Sequence, residues 1–178
     1  KIQTVDYKIQ MQEGNGATDA MNIVLISDLH IGYVVDEKHV EKIVASVNAA
    51  EPDLVCIAGD IFDGDITSVK HPSVLQRLFR SIKAPYGVYA CLGNHDAGAG
   101  YEDMLKFLDK AQIHLLQDES VLIGNKMILA GRKDSGPVFC GRGREQGLKG
   151  QCPPRLPKTA RIGIKFIDRV HQWATSVI

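Results

Sequence analysis

No apolar stretch in this 178-residue chain approaches the roughly 20 residues that a helix needs to span a bilayer. No secretory signal pattern is evident at its start. The first residue is Lys1 rather than methionine, so an upstream anchor stays open. Cysteine is sparse: four residues in a chain of this length do not make a disulfide framework. Cys140 and Cys152 lack the close spacing of a zinc ribbon, and Cys56 and Cys91 lie inside apolar runs, where they read as buried free thiols. Net charge is missing as well, with 21 basic and 21 acidic side chains, which argues against a general affinity for polyanions. What remains is ordinary globular composition, 44% hydrophobic and 24% charged, in a length that suits about one domain.

The zero net charge hides an asymmetry. Residues 1–131 carry 11 Lys and Arg against 18 Asp and Glu, a net of −7, whereas residues 132–178 carry 10 against 3, a net of +7. Hydrophobic periodicity changes at nearly the same place. Before it, Val5, Tyr7, Ile9 and Met11 alternate as an edge strand would, and Ile23 to Ile26, Leu54 to Ala58 and Gly87 to Leu92 read as buried strands. Between them, Val40, Ile43, Val44 and Val47 have helical spacing. Pro72 suits a helix start before the stripe Val74, Leu75, Leu78, Phe79 and Ile82. A third helix is expected over about Tyr101 to Lys110, burying Met104, Leu105 and Leu108. Ser120 to Ile123 and Lys126 to Ala130 then suggest a hairpin about a Gly124-Asn125 turn. This alternation predicts an α/β fold built from βαβ units feeding a mixed sheet. Beyond about Asp134 come glycines, then Pro153, Pro154 and Pro157, with no apolar period until a short terminal helix pattern from Ile164 to Trp173. Such a long structureless stretch is foreign to a compact domain. The expected division is therefore residues 1–135 as a domain, and 136–178 as a basic Gly/Pro-rich tail.

Three clusters follow the three buried runs: Asp28-Leu29-His30, Gly59-Asp60-Ile61-Phe62-Asp63 and Gly93-Asn94-His95-Asp96. In an open α/β sheet, binding groups gather beyond the carboxyl ends of the strands. An unpaired carboxylate at the end of an apolar run is costly to bury, and a divalent cation removes that cost. In extended geometry Asp28 and His30 would point to one face. Asn94 adds a neutral amide oxygen. Carboxylate, imidazole and amide together favour Mn, Fe, Zn or a similar ion over a thiolate-bound metal. Each cluster alone is commonplace as a cap or turn; the three in this order read as a metal site, one for two ions.

These same blocks resemble the first three signatures of the calcineurin-like metallophosphoesterase superfamily. Leu25 to Gly32 and Ala58 to Asp65 look most like its bacterial, often membrane-associated branch. The resemblance covers about residues 4–134 and implies a four-layer αββα sandwich, incomplete in this chain, with the second half missing or altered. It further implies two divalent ions, with Asp28 and His30 on the first, Asp60 between them and Asn94 on the second. His95 would contact the phosphate and protonate the leaving oxygen, Asp96 would orient His95, and Asp63 would support the ligand loop. The implied reaction is hydrolysis of a phosphomonoester or phosphodiester by a metal-activated water.

The later blocks of that superfamily, a histidine after the next strand, then Gly-His and Gly-His-x-His, are absent: after His95 come only His114 and His171. His114, His171, His39 and His71 read as surface or helix-face residues, with His71 nearest the site rim. The expectation is a truncated or frameshifted member with impaired turnover; the alternative is a catalytically dead remnant acting as a binding module. A phosphate-ester substrate is expected and nucleic acid is not, because the basic residues of the tail are scattered without aromatic interleaving. An exposed apolar sheet face would favour self-association. Location stays open between cytoplasm and membrane periphery.

Overall fold

The computed structural model describes residues 2–8, 20–32, 35–64, 66–93, 96, 100–125 and 127–131, with the backbone of 163–166. Strand and helix alternate from the start: β1 (Ile23–Ile26), α1 (Glu37–Ala49), β2 (Leu54–Ala58), α2 (Pro72–Arg80), β3 (Val88–Cys91), α3 (Tyr101–Lys110) and β4 (Ile113–Leu115). The four strands form one parallel sheet in the order β1-β2-β3-β4, with Ile23 opposite Leu54, Val55 opposite Val88 and Val88 opposite Ile113. A second sheet follows, in which β5 (Glu119–Ile123) and β6 (Met127–Gly131) pair antiparallel and β7 (Gly163–Phe166) runs parallel to β6.

Local sequence explains these elements. Asp36 caps α1 by accepting from the His39 backbone N–H at 3.0 Å. Pro72 opens α2, where a missing N–H costs nothing. β2, Leu-Val-Cys-Ile-Ala, is buried at all five positions because it is an inner strand covered on both faces. On one face Val55, Ile57, Val88, Ala90 and Ile113 pack under the helices, through Val40, Val44, Leu75, Phe79, Met104, Phe107 and Leu108. The Phe107 ring meets Phe62 and Phe79 edge-on, at centroid distances of 5.2 and 6.3 Å. On the other face Leu54, Cys56 and Cys91 pack against Ile123, Met127 and Leu129 of the second sheet. Burial in this apolar layer pushes the Cys56 thiol up to about 12, so it stays protonated and inert. The described residues thus form helix, sheet and sheet, three layers of the expected sandwich.

Several details differ from the sequence expectations. Residues 2–8 form no strand, and Val5 and Tyr7 are exposed, since alternation becomes a strand only where a neighbouring edge completes its hydrogen bonds. Ile9 and Met11 lie outside the described residues. β1 is half-buried rather than buried: it is an edge strand, and Leu25 is 62% exposed on the face that the second sheet covers over β2 and β3. In α3, Phe107 is buried and Leu105 only partly so, because the stripe is centred on Met104, Phe107 and Leu108. Ile113–Leu115 is a strand too short to have a readable period. The hairpin pairs Ile123 with Met127, so its connection has three residues, not two. At the far end, Gly163–Phe166 is strand where helical spacing suggested a helix, the β6 edge supplying a partner that periodicity does not register. The rest of the proposed tail lies outside the described residues. No helix among the described residues is long and apolar enough to cross a membrane.

Two outcomes are expected. Phe107→Ala should cost about 3–5 kcal/mol, through lost burial and the cavity between Phe62 and Phe79, measured as a lower urea midpoint at unchanged slope. The Asp36 carboxyl is held below the usual carboxylate range, first by its side-chain bond to His39 and then by the His39 N–H. A carboxyl with a depressed folded-state value stabilises the fold above its unfolded value, and that contribution is lost as pH falls through the folded one. Asp36→Ala should therefore lower the melting temperature at neutral pH, with the deficit shrinking as pH falls from the ordinary aspartate value through the depressed one.

Candidate metal centre

The parallel sheet brings the loops after β1 and β2 to one rim, and backbone hydrogen bonds hold them in register. The His30 N–H donates to the Asp60 carbonyl at 3.0 Å, Ile31 N–H to the Ile61 carbonyl at 2.9 Å, and Asp63 N–H to the Ile31 carbonyl at 3.0 Å. The end of β3 joins through Gly59 N–H, which donates to the Cys91 carbonyl at 3.1 Å. Asp28, His30 and Asp60 meet where these loops converge, each offering a ligand atom within 4.8 Å of the other two.

The backbone reaches this arrangement in an unusual way. Asp28, His30 and Asp60 all have left-handed conformations, with φ of 54°, 45° and 48°. Extended geometry therefore does not account for the convergence of Asp28 and His30: β1 ends at Ile26, and the chain beyond it coils. A non-glycine residue in a sparsely populated backbone region costs about 1–3 kcal/mol, and such residues persist where the surroundings over-determine them. Three at one rim, all with metal-ligating side chains, point to a site built for a ligand rather than for stability.

Charge and burial agree with a cation. Asp60 is 8% exposed, and two carboxylates with an imidazole in so small a space need a positive partner. Hard carboxylate oxygens with one imidazole suit a divalent ion of the Mn, Fe or Zn kind. Asp63 stands behind His30, with its Oδ1 3.9 Å from Nδ1. A Cβ on Gly93 would fall inside the Asp60 carboxylate, and one on Gly59 would lie 3.0 Å from the Gly93 Cα. The loops approach this closely only because both positions are glycine.

Asp96 is 2% exposed, and its carboxylate accepts three backbone N–H bonds: from Gly93 at 2.9 Å, Phe62 at 3.0 Å and Ile61 at 3.2 Å. Burial raises its carboxyl above the ordinary value; the three donors pull the other way, and the neighbouring Asp60 charge adds to the rise. Asn94 and His95 lie outside the described residues. Of the remaining histidines, His71 pairs with Glu37 at 2.8 Å, joining the N-termini of α2 and α1, and His39 pairs with Asp36. His114 lies against the Tyr89 ring at 5.1 Å. His171 is outside the described residues. The spacing of Gly93 within Gly-Asn-His signalled a turn; its steric role beside Asp60 was not readable.

Comparison with known proteins agrees with the fold. The family model for calcineurin-like phosphoesterase matches residues 21–167, and the chain belongs to that family. An uncharacterised metallophosphoesterase of Aquifex aeolicus is 32% identical over 134 residues, covering 75% of this chain and 50% of that protein. One from Helicobacter pylori is 36% identical over 104 residues, 58% of this chain and 27% of the other. UDP-2,3-diacylglucosamine pyrophosphatase LpxG of Chlamydia trachomatis is 34% identical over 76 residues, 43% of this chain and 22% of that protein. The chain thus spans half or less of the length of these relatives.

Gly93→Ala should displace the Asp60 carboxylate and weaken divalent-metal binding on the order of 10–100-fold, the range seen when groups supporting a ligand are lost. Titration calorimetry with manganese checks it; unchanged affinity would show that the loops have room to spare.

Proposed function

We propose that this chain carries the ligand half of a dinuclear phosphoesterase centre that hydrolyses a phosphate ester. The observation that carries the reading is the meeting of Asp28, His30 and Asp60 at the carboxyl rim of a parallel sheet, in a chain of the calcineurin-like phosphoesterase family. Asp28 and His30 would hold one ion, Asn94 the second, and Asp60 would be shared between them. Two divalent ions in such a site make a bound water acidic and offset charge on the phosphoryl oxygens.

The chain's own groups have separable tasks. Asp60, shielded from solvent, keeps its carboxylate at the meeting point of the two loops. Asp63, with its Oδ1 3.9 Å from His30 Nδ1, would support the imidazole as a ligand. His95 follows Asn94 directly, and an imidazole titrates near neutral pH, so it suits the protonation of the leaving oxygen as the P–O bond opens. Asp96, next in sequence, orients it. Phosphomonoesters and phosphodiesters are both compatible with this chemistry. The UDP-2,3-diacylglucosamine pyrophosphatase among the relatives favours a phosphate-linked substrate, and exposed Leu25 and Leu122 favour association with another apolar surface.

Metal content and turnover test the proposal together. The purified chain should take up two manganese ions and hydrolyse an aryl phosphodiester; Asp60→Asn should reduce both ion uptake and hydrolysis to background. Absence of tight metal and of turnover in the unaltered chain would overturn it, leaving a binding module on a phosphoesterase fold.

A further inference from the structure

Asp96 makes a set of contacts that orientation of a histidine does not require. Its Oδ2 accepts from Gly93 N–H in its own loop and from Ile61 N–H in the loop after β2, while Oδ1 accepts from Phe62 N–H. Ile61 and Phe62 are the two residues immediately after Asp60, and both are buried. The carboxylate therefore crosses from one site loop to the other and grips the backbone on the far side of the metal ligand. Gly93, gripped from the same oxygen as Ile61, is the residue whose missing Cβ makes room for the Asp60 carboxylate.

We propose that Asp96 is a positioning residue for Asp60, clamping the loop after β2 to the loop after β3 so that the Asp60 carboxylate is held at the ligand cluster before any ion arrives. This rests on the reading of Asp60 as a metal ligand. The physical grounds are direct. Asp60 has a left-handed backbone, a conformation that relaxes unless neighbouring bonds hold it. The His30 N–H bond to the Asp60 carbonyl and the Asp96 bonds to Ile61 and Phe62 fix the chain after that residue, and the Gly59 N–H bond to the Cys91 carbonyl fixes it before. A carboxylate accepting from amides is a stronger tether than a neutral acceptor. An asparagine cannot replace it: with its oxygen in the Oδ2 position, its NH2 group opposes the Phe62 N–H, donor against donor.

Hydrogen exchange on the metal-free chain separates this role from one exerted through His95. In Asp96→Asn the amides of Ile61, Phe62 and Gly93 should exchange at least about tenfold faster than in the parent, with Phe62 affected most. In His95→Ala they should keep the parent rates. Manganese affinity should fall on the order of 10–100-fold in Asp96→Asn and change little in His95→Ala. Asp96→Glu, which keeps the charge but displaces it by one methylene, should fall between parent and Asp96→Asn, and it supplies the comparison if Asp96→Asn does not fold. With aryl and alkyl phosphodiesters, the rate in Asp96→Asn should fall for both leaving groups, and a loss confined to the alkyl ester would overturn the clamp in favour of a role through His95 alone. Parent-like amide exchange and manganese affinity in both Asp96 variants would overturn the clamp while leaving the metal centre standing. Failure of the unaltered chain to bind manganese would overturn the metal reading, and the positioning role with it.

Discussion

Two loops leaving neighbouring parallel strands come into contact through glycine, and the rest of the site depends on that contact. Gly59 and Gly93 face one another closely enough that a methyl group on either would meet backbone or carboxylate. Into this seam Asp60 projects its side chain, and across it Asp96 takes three amides. The strands beneath are rigid, since β2 is buried on both faces and sits inside the sheet. Small loops on such a frame have little freedom to drift, which is how a few hydrogen bonds can hold ligand atoms within 4.8 Å of one another.

The arrangement works against stability in two respects. Three site residues adopt left-handed backbone, and two of the carboxylates at the seam are buried close together. Neither feature helps the fold in isolation. The hydrophobic layers offset them: helices bury Val55, Ile57 and Val88 on one face, and the second sheet buries Leu54 and Cys56 on the other. Three left-handed residues with metal-ligating side chains, drawn together at one rim with like charge, are the marks of a place selected for binding.

Much of the frame was legible beforehand. Ile23–Ile26 and Leu54–Ala58 are strands with the expected bounds, α3 covers Tyr101–Lys110, and Pro72 opens α2 as its fixed backbone angle suggests. These succeed because apolar runs and helical stripes report burial directly. The errors fall where a partner decides. Val5 and Tyr7 alternate without forming a strand, Gly163–Phe166 pairs with β6 despite helical spacing, and Leu25 stays exposed on an edge. Pairing is a long-range property, and period alone does not encode which edges are available.

The same division runs through the site. Order and spacing of Asp28, His30 and Asp60 after successive apolar runs were sufficient to nominate them as ligands, because burying a carboxylate at the end of such a run is costly and a cation offsets that cost. Sequence could not say how they converge. The extended alternation it suggested for Asp28 and His30 is replaced by left-handed turns, and those turns are held by bonds to a loop some thirty residues away. Nor could it say that Asp96 grips Ile61 and Phe62. Residue chemistry is local and written in the chain; the position of a donor relative to an acceptor on another loop depends on how the strands stack, and only folding supplies it.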